Sequence, residues 1–131
     1  MNKFLSFHTH GTSNNEVQMS PAYFLDGDYA PVAVRIYVED APVREAKIDI
    51  YNDGASIFNN STPSSYHHNT GVDLTGSAVT YMSLAAGQNS DEVADDFNDT
   101  PLEKGSWVTC KLLDAGSGAN FTVQLELELI T

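Results

Sequence analysis

Residues Phe121 to Ile130 read FTVQLELELI, and the alternation in this stretch decides the fold class. Every second residue is apolar and the residues between are polar; the apolar set is Phe121, Val123, Leu125, Leu127 and Leu129. Successive side chains of a β-strand point to opposite faces, so an alternation of period two predicts a strand with one buried and one solvated face. We therefore expect this stretch to be a strand of a sheet that has one face exposed to solvent.

The same chemistry recurs along the chain. Further strand candidates are the alternating stretch Val32–Val38 and the β-branched or aromatic runs Val79–Leu84 and Trp107–Leu113. Turn sequences separate them: DGDYAP, EDAP, NDG, AAGQ and DAGSG. Helical spacing is nearly absent, and the best helical candidate is a turn at SDEVADDF, residues 90–97. This pattern predicts an all-β protein, a single antiparallel β-sandwich of jelly-roll type.

The segment KIDIYNDGASIF, Lys47–Phe58, resembles a calcium loop because aspartates and a glycine lie close together. An EF-hand loop beginning at Asp49 needs an oxygen ligand at its third position and a glutamate at its twelfth. Those positions hold Tyr51 and Asn60. The residues Asn52–Gly54 tolerate positive φ, so the segment is predicted to be a β-hairpin whose isoleucines face the core.

Length and composition limit the classes of protein. A chain of 131 residues suits one domain, and its single cysteine, Cys110, excludes an intramolecular disulfide and a zinc site built of cysteines. Cys110 lies in the strand pattern and is predicted to be a buried, inert thiol. With 18 acidic and 6 basic residues the formal charge is −12, which repels a phosphate backbone. No apolar run reaches 18 residues. We expect neither a nucleic-acid nor a membrane partner.

Two groups of carboxylates could carry chemistry. Glu126 and Glu128 stand about 7 Å apart on one strand face, as the carboxylates of inverting glycosidases do. The acidic segment SDEVADDFND, residues 90–99, could bind Ca²⁺. In both cases a solvated surface is the favoured interpretation, because nothing in the sequence marks an apolar pocket or a ligand set. We predict no catalytic residue, no metal site and no cofactor.

Two regions do not fit a single sandwich. Residues 1–22 place Phe4, Leu5 and Phe7 beside a polar stretch and are predicted to form an extended N-terminal arm. Residues 59–80 lack a regular pattern and are predicted to be an inserted loop on an interface or at a tip. Histidines in both regions could meet around a metal in a symmetric oligomer, but surface or interface histidines are favoured. The candidate interface residues are Phe4, Leu5, Phe7, His8, His10, Tyr66, His67 and His68.

The order of these strands and turns resembles a known module. The stretch VRIYVEDAPVREAKIDIYNDGASIF, followed by SLAAGQNSDEVADDFNDTPLEKGSWVTCKLLDAGSGANFTVQLEL, is similar to a jelly-roll module of tailed-phage virion proteins, found in fibres and in head-attached decorations. The resemblance covers Pro31 to Leu129 and rests on strand and turn motifs. This chain departs from the module by its insertion between SIF and SLAAGQ. The expected organisation is an arm at 1–22 and a jelly-roll β-sandwich at 23–131, with an inserted loop at 59–80.

The resemblance implies a structural virion protein rather than an enzyme. The favoured expectation is a capsid decoration, or cement, protein that is made in the host cytoplasm. It would bind the major capsid protein on the outside of a phage head and stabilise the shell by bridging its subunits, with a homo-oligomer, and a trimer first, as the assembly. The alternative is a receptor- or glycan-binding domain of a head or tail fibre, in which Tyr66, Trp107 or other exposed aromatic rings stack on sugars.

Overall fold

The structure is a computed structural model that describes residues 2–11, 16–58, 71–72, 78–79, 81–94, 97 and 101–130, with only the backbone of 71–72 and 78–79. These residues form strands, turns and loops, and none of them lies in a helix or in a segment that could cross a membrane as one. The strands are β1 (Lys3–His8), β2 (Val17–Phe24), β3 (Tyr29–Asp40), β4 (Ala46–Asn52), β5 (Ala55–Ser56), β6 (Gly71–Val72), β7 (Ala78–Val79), β8 (Met82–Leu84), β9 (Ser90–Val93), β10 (Trp107–Asp114) and β11 (Ala119–Leu129).

Nine of these strands form one antiparallel sheet that curls around a core. Its order is β5-β4-β10-β2-β1-β11-β3-β9, with β8 also paired to β4, and β6 and β7 form a separate pair. We call β1, β11, β3 and β9 half A, and β2, β10, β4, β5 and β8 half B. The two halves are joined by the pairing of β1 with β2, whose register is His8 opposite Ser20. The all-β, antiparallel character predicted from the sequence is confirmed.

The strand β11 lies at the centre of half A, between β1 and β3. Val123 stands opposite Phe7 on one side and Ile36 on the other, so the same core layer continues across three strands. The predicted alternation is confirmed from Phe121 to Leu127, where every second side chain is buried. It fails at Leu129, which is 48% exposed because it lies beyond Lys3 and Leu127, the last pair between β1 and β11.

The inner faces of the two halves together make the core. Half A contributes Leu5, Phe7, Val34, Ile36, Val38, Val93, Phe121, Val123, Leu125 and Leu127, and half B contributes Met19, Ile48, Ile50, Met82, Leu84, Val108, Cys110 and Leu112. Each of the larger apolar side chains stabilises the fold by about 1.5–3 kcal/mol relative to an exposed position. The Cys110 thiol is fully buried, with Sγ 3.6 Å from Met19 Sδ, and burial raises its pKa. The predicted burial of this thiol is confirmed.

The N-terminal segment is not an arm. Residues 1–22 were expected to lie outside the sandwich, but they hold β1 and most of β2. β1 pairs with β11 along its whole length, and Leu5 and Phe7 are 1% and 0% exposed. The apolar residues of the segment therefore lie in the protein's own core, because β11 offers an adjacent strand edge that local sequence does not reveal. Leu5 and Phe7 are accordingly not interface residues.

Two local predictions have opposite outcomes. The hairpin of Lys47–Phe58 is confirmed: β4 and β5 pair across Asp53 and Gly54, whose φ values of 49° and 86° are typical of a two-residue turn of type I′. The helical candidate at residues 90–97 is wrong at its start, where Ser90–Val93 form β9 against β3. Val93 fills the core opposite Val34, and this long-range pairing outweighs a weak helical pattern.

The DAGSG turn, residues 114–118, is hydrogen-bonded to the loop that connects β3 and β4. The carbonyl oxygen of Gly116 accepts hydrogen bonds from the backbone N–H groups of Val43 and Arg44, at 2.8 and 3.3 Å. Gly116 has φ of 59°, and a Cβ there would overlap the carbonyl oxygen of Arg44. Both the backbone conformation and the close approach therefore require glycine at this position.

We expect Gly116→Ala to lower the free energy of unfolding by about 3 kcal/mol or more, because strain at positive φ adds to a backbone clash. Gly54→Ala is the matched control: Gly54 also has positive φ, but a Cβ there meets nothing within 4 Å. It should cost only about 1 kcal/mol. Urea unfolding followed by circular dichroism measures both, and equal losses would contradict the role given to the close approach.

Candidate functional site

Two aromatic rings stand exposed on the outer face of half B. Trp107, the first residue of β10, lies directly opposite Phe24, the last residue of β2. Their side chains are 50% and 57% exposed, and their ring centroids are 5.1 Å apart with the planes at 60°. We call these two residues the aromatic pair. Large apolar side chains left in water in contact with each other are typical of a binding surface.

Strand geometry explains why the aromatic pair faces outward. Along β10, Val108 and Cys110 are fully buried, so Trp107 must point to the other side. Next to Phe24, Tyr23 turns inward, where its ring contacts Phe7 edge-on at 5.4 Å. The inward positions are therefore taken by neighbouring residues, and both rings remain outside the core.

The backbone around the aromatic pair is held firmly. Trp107 exchanges two hydrogen bonds with Asp53: its N–H donates to Oδ1 at 2.9 Å, and its carbonyl oxygen accepts from the N–H of Asp53 at 2.9 Å. Asn52 Nδ2 donates to Ser106 Oγ at 2.7 Å, and that hydroxyl donates to the carbonyl oxygen of Glu103 at 2.5 Å. These bonds connect the hairpin turn to the turn before β10 and fix the place of the indole.

The outer face of half A also carries two exposed rings, on the strands that flank β11. Phe4 on β1 is 52% exposed, and Tyr37 on β3 is 55% exposed. They stand opposite Glu126 and Thr122 of β11, respectively, and so face the same side as these polar residues. Phe4 was a candidate interface residue from the sequence, whereas Tyr37 was missed there.

A network of ion pairs and hydrogen bonds centred on Arg35, which we call the charged clamp, crosses the outer face of half A. The guanidinium of Arg35 contacts Glu126 Oε1 at 2.7 Å, Glu92 Oε2 at 2.6 Å and Gln124 Oε1 at 3.0 Å, so it spans β9, β3 and β11. Asn2 Nδ2 donates to the second oxygen of Glu126 at 2.6 Å. The hydrogen bond from Asn2, and then that from Arg35, lower the pKa of Glu126. A general acid needs the opposite shift, so Glu126 is held as a carboxylate in a cross-strand clamp.

We expect Arg35→Met to lower the urea midpoint at pH 7, with a smaller difference from the wild type at acid pH. A carboxylate whose pKa is lowered in the folded protein contributes stability above its unfolded pKa of about 4.5 and loses it as pH falls through the folded value. Unfolding curves between pH 2 and pH 7 measure this effect. A difference that stayed constant down to pH 2 would contradict the clamp.

Asp49 is a polar group whose burial the sequence did not predict. Alternation places it on the face opposite Ile48 and Ile50, and the structure agrees, but neighbouring side chains cover it there to 5% exposure. Ser56 Oγ donates to its Oδ1 at 2.6 Å, and Tyr51 also hydrogen-bonds to it. Burial raises the pKa of Asp49 to about 6 against the opposing effect of the Ser56 hydrogen bond. No motif signals this, because a single Asp between isoleucines has the pattern of a surface residue.

Aromatic and cationic side chains surround Asp49 on the outer face of half B. Lys111 stands opposite it on β10, with Nζ 3.2 Å from Glu16 Oε1 and 5.6 Å from the centre of the Tyr51 ring. Burial, followed by the charge of Asp49, raises the pKa of Tyr51 to about 12. Lys47 lies over the ring of Tyr81 at 5.2 Å. Together with Asp49, these side chains form a compact polar cluster over β4 and β10.

We expect Asp49→Asn to stabilise the protein at pH 7 by up to about 3 kcal/mol, the equivalent of a pKa raised from 3.8 to about 6. Since the folded protein binds this proton more tightly, wild-type stability falls as pH rises from about 4 to about 6, and the variant lacks that fall. Thermal unfolding at pH 4 and pH 7 compares the two proteins. A variant less stable than the wild type at pH 7 would show that the charge of Asp49 is favourable.

The remaining candidate residues have mixed outcomes. His8 and His10 are exposed, with His8 Nδ1 3.3 Å from Thr122 Oγ1. Tyr66, His67 and His68 lie outside the described residues, as do Asp95, Asp96 and Asp99 of the acidic segment. Among the residues with described side chains, no three His, Cys, Asp or Glu are grouped so that they could hold a metal ion.

Comparison with known structures returns similarities at low sequence identity. No family model and no curated protein matches the chain. The catalytic domain of a GH87 alpha-1,3-glucanase in complex with nigerose has 14% identity and a TM-score of 0.42, covering 98% of this chain and 28% of that one. The insecticidal delta-endotoxin Cry8Ea1 from Bacillus thuringiensis has 10% identity and a TM-score of 0.44, covering 92% and 19%.

A third similar structure is the Drosophila NLP-core, with 18% identity and a TM-score of 0.40, covering 96% of this chain and 98% of that one. This chain spans less than a third of the length of the glucanase and toxin chains. Similarity at these scores leaves fold and function to be argued from the chain's own residues.

Proposed function

We propose that the chain is a structural protein of a tailed-phage virion, made in the host cytoplasm, that binds the outside of the head and stabilises the shell by bridging capsid subunits. Its partner is the major capsid protein. The proposal begins from the resemblance of Pro31–Leu129 to the phage module. The described surface adds an observation that the sequence did not contain.

The jelly-roll fold is part of this proposal. Half A has the order β1-β11-β3-β9, and within half B the order β2-β10-β4-β8 runs from the central strand to the edge. Two four-stranded sheets in which strands from the beginning and end of the chain alternate in this way are what a jelly roll of eight strands requires. The strand order therefore supports the fold, with β5 as an addition to the β4 edge.

The observation that carries the function is the presence of exposed aromatic rings on both outer faces. Phe24 and Trp107 stand on half B, while Phe4 and Tyr37 stand on half A, and all four are at least half exposed. Aromatic side chains are enriched at protein interfaces and dominate their binding energy. A protein that bridges two neighbours needs a contact surface on each side, and these rings supply one for each half.

The charge of the chain favours assembly on a partner. At −12, copies of this protein repel one another in solution, so contacts between copies form most readily where a shell holds them in place. A trimer around a symmetry axis of the shell is the arrangement we favour. Binding to the assembled shell and not to free subunits would stabilise the shell by mass action.

We expect the purified protein to bind saturably to phage shells that lack it and to raise their melting temperature. Co-sedimentation measures binding, and differential scanning calorimetry measures the shell transition. The control is the same shell with bovine serum albumin at equal concentration, another acidic protein. No co-sedimentation at micromolar protein would reject the capsid function.

A second candidate is a glycan- or receptor-binding domain of a head or tail fibre. Trp107 favours it, because a half-exposed indole can stack on a sugar ring. Binding of the protein to host cells or to their purified surface polysaccharide, without binding to shells, would establish this function in place of the first.

A further inference from the structure

We propose that the aromatic pair, Phe24 and Trp107, docks into an apolar socket with a basic rim on a protein partner. This inference rests on the proposed function, in which that partner is the capsid shell. It goes further by assigning the contact to one end of half B and by stating the chemistry of the surface that receives it.

The shape of the aromatic pair points to a socket. The two ring planes meet at 60°, so they form a ridge with two inclined faces and not one flat platform. A sugar ring stacks best on a single flat aromatic face, whereas a ridge buries both rings when it enters a cleft. Full burial of such rings at the centre of an interface is where most binding energy arises.

The hydrogen-bonding groups next to the aromatic pair also disfavour a sugar. Asp53 Oδ1 already accepts from the backbone of Trp107, and Asn52 Nδ2 already donates to Ser106 Oγ. The hydroxyl of Ser106 in turn donates to the carbonyl oxygen of Glu103. Recognition of a sugar needs several polar groups that converge on its hydroxyls. Here Asp53 Oδ1, Asn52 Nδ2 and the Ser106 hydroxyl are engaged within the fold, so the surface that the two rings themselves present is apolar.

The charges around the aromatic pair determine the rim of the socket. The turns that flank it carry four exposed carboxylates, Asp26, Asp28, Asp53 and Glu103, against the single amine of Lys104. Asp26 is paired with Lys3 of β1, which leaves the other three carboxylates in excess. Asp28 Oδ1 accepts from the backbone N–H of Lys104 at 2.8 Å, which joins two of these turns. An acidic border around an apolar centre is complementary to lysines and arginines around an apolar cleft, and such complementarity also speeds encounter.

The aromatic pair is already held in place before it binds. Leu25 N–H donates to the carbonyl oxygen of Ser106 at 2.9 Å, and Gly105 N–H donates to that of Leu25 at 2.9 Å. These bonds tie the residue after Phe24 to the residues before Trp107. Docking therefore orders little of the backbone, and less of the binding free energy is lost to entropy.

Trp107 is the chain's only tryptophan, so its fluorescence reports on this surface alone. We expect shells lacking the protein to shift the emission of the wild type to shorter wavelength and to protect it from acrylamide quenching. Phe24→Ala keeps the fluorophore and should weaken shell binding by about tenfold or more, as loss of a central interface residue does. Trp107→Ala, followed by co-sedimentation, should have a similar effect.

The matched control is Val43→Ala. Val43 is 75% exposed and apolar, but it lies beside Gly116, beyond the other end of β10. It should leave shell binding within about twofold, since surface substitutions outside a contact have small effects. Thermal unfolding should show all three variants folded, because each removes an exposed side chain. Wild-type binding should also weaken as salt rises, and Glu103→Gln should reduce that dependence.

The outcomes separate the inference from the proposed function. If the wild type binds shells while Trp107 emission and the affinity of Phe24→Ala stay unchanged, the assigned surface is wrong and the capsid function stands. If Val43→Ala loses as much affinity as Phe24→Ala, the inference is also overturned. If the wild type does not bind shells, both fall. If host surface polysaccharide shifts the emission and shells do not, the surface binds sugar.

Discussion

The pairing of β11 on both of its edges is the constraint on which the rest of the fold depends. β11 joins β1, at the beginning of the chain, to β3, and its inward side chains continue the layers that both neighbours supply. Without it, Leu5 and Phe7 would have no core to enter. With it, β1 is fixed where it can meet β2 at His8 and Ser20, and this contact joins the two halves of the sheet. A central strand made from the end of the chain thus gives the N-terminal segment its place.

The sequence predicted the elements whose evidence is local. The alternation in Phe121–Leu127, the hairpin turn at Asp53 and Gly54 and the buried Cys110 each follow from a few adjacent residues. It did not predict β1 or β9, because both gain stability from strands distant in the chain.

At the candidate site, Phe4, His8 and His10 were identified and are exposed, and Trp107 was considered as a sugar contact. Tyr37 and Phe24 were not identified as site residues: alternation places Tyr37 on the polar face of its strand without indicating a contact there, and Phe24 lies outside the stretches predicted as strands. Asp49 lies on the face that alternation predicts, but its burial depends on side chains of neighbouring strands that a local pattern does not reveal.

The surface combines paired basic side chains with an excess of carboxylates. Of the six basic side chains, Lys3, Arg35, Arg44, Lys47 and Lys111 form ion pairs with nearby carboxylates. Most of the positive charge is therefore neutralised by these pairs, and the formal charge of −12 is an excess of carboxylates. Such a surface repels its own copies and attracts basic ones. Its exposed aromatic rings can remain in water with less risk of self-association than rings on a neutral surface would have.

Because Cys110 is fully buried, chemical modification of its thiol can report on opening of the folded structure. The thiol is fully enclosed between the halves, in the middle of β10, and no second cysteine competes with it for a reagent. A water-soluble thiol reagent can reach it only when the sheet separates from its core, so the rate of modification measures how often that happens. On a particle, the same rate would give the lifetime of the folded state of each attached copy, independently of any signal from the particle itself.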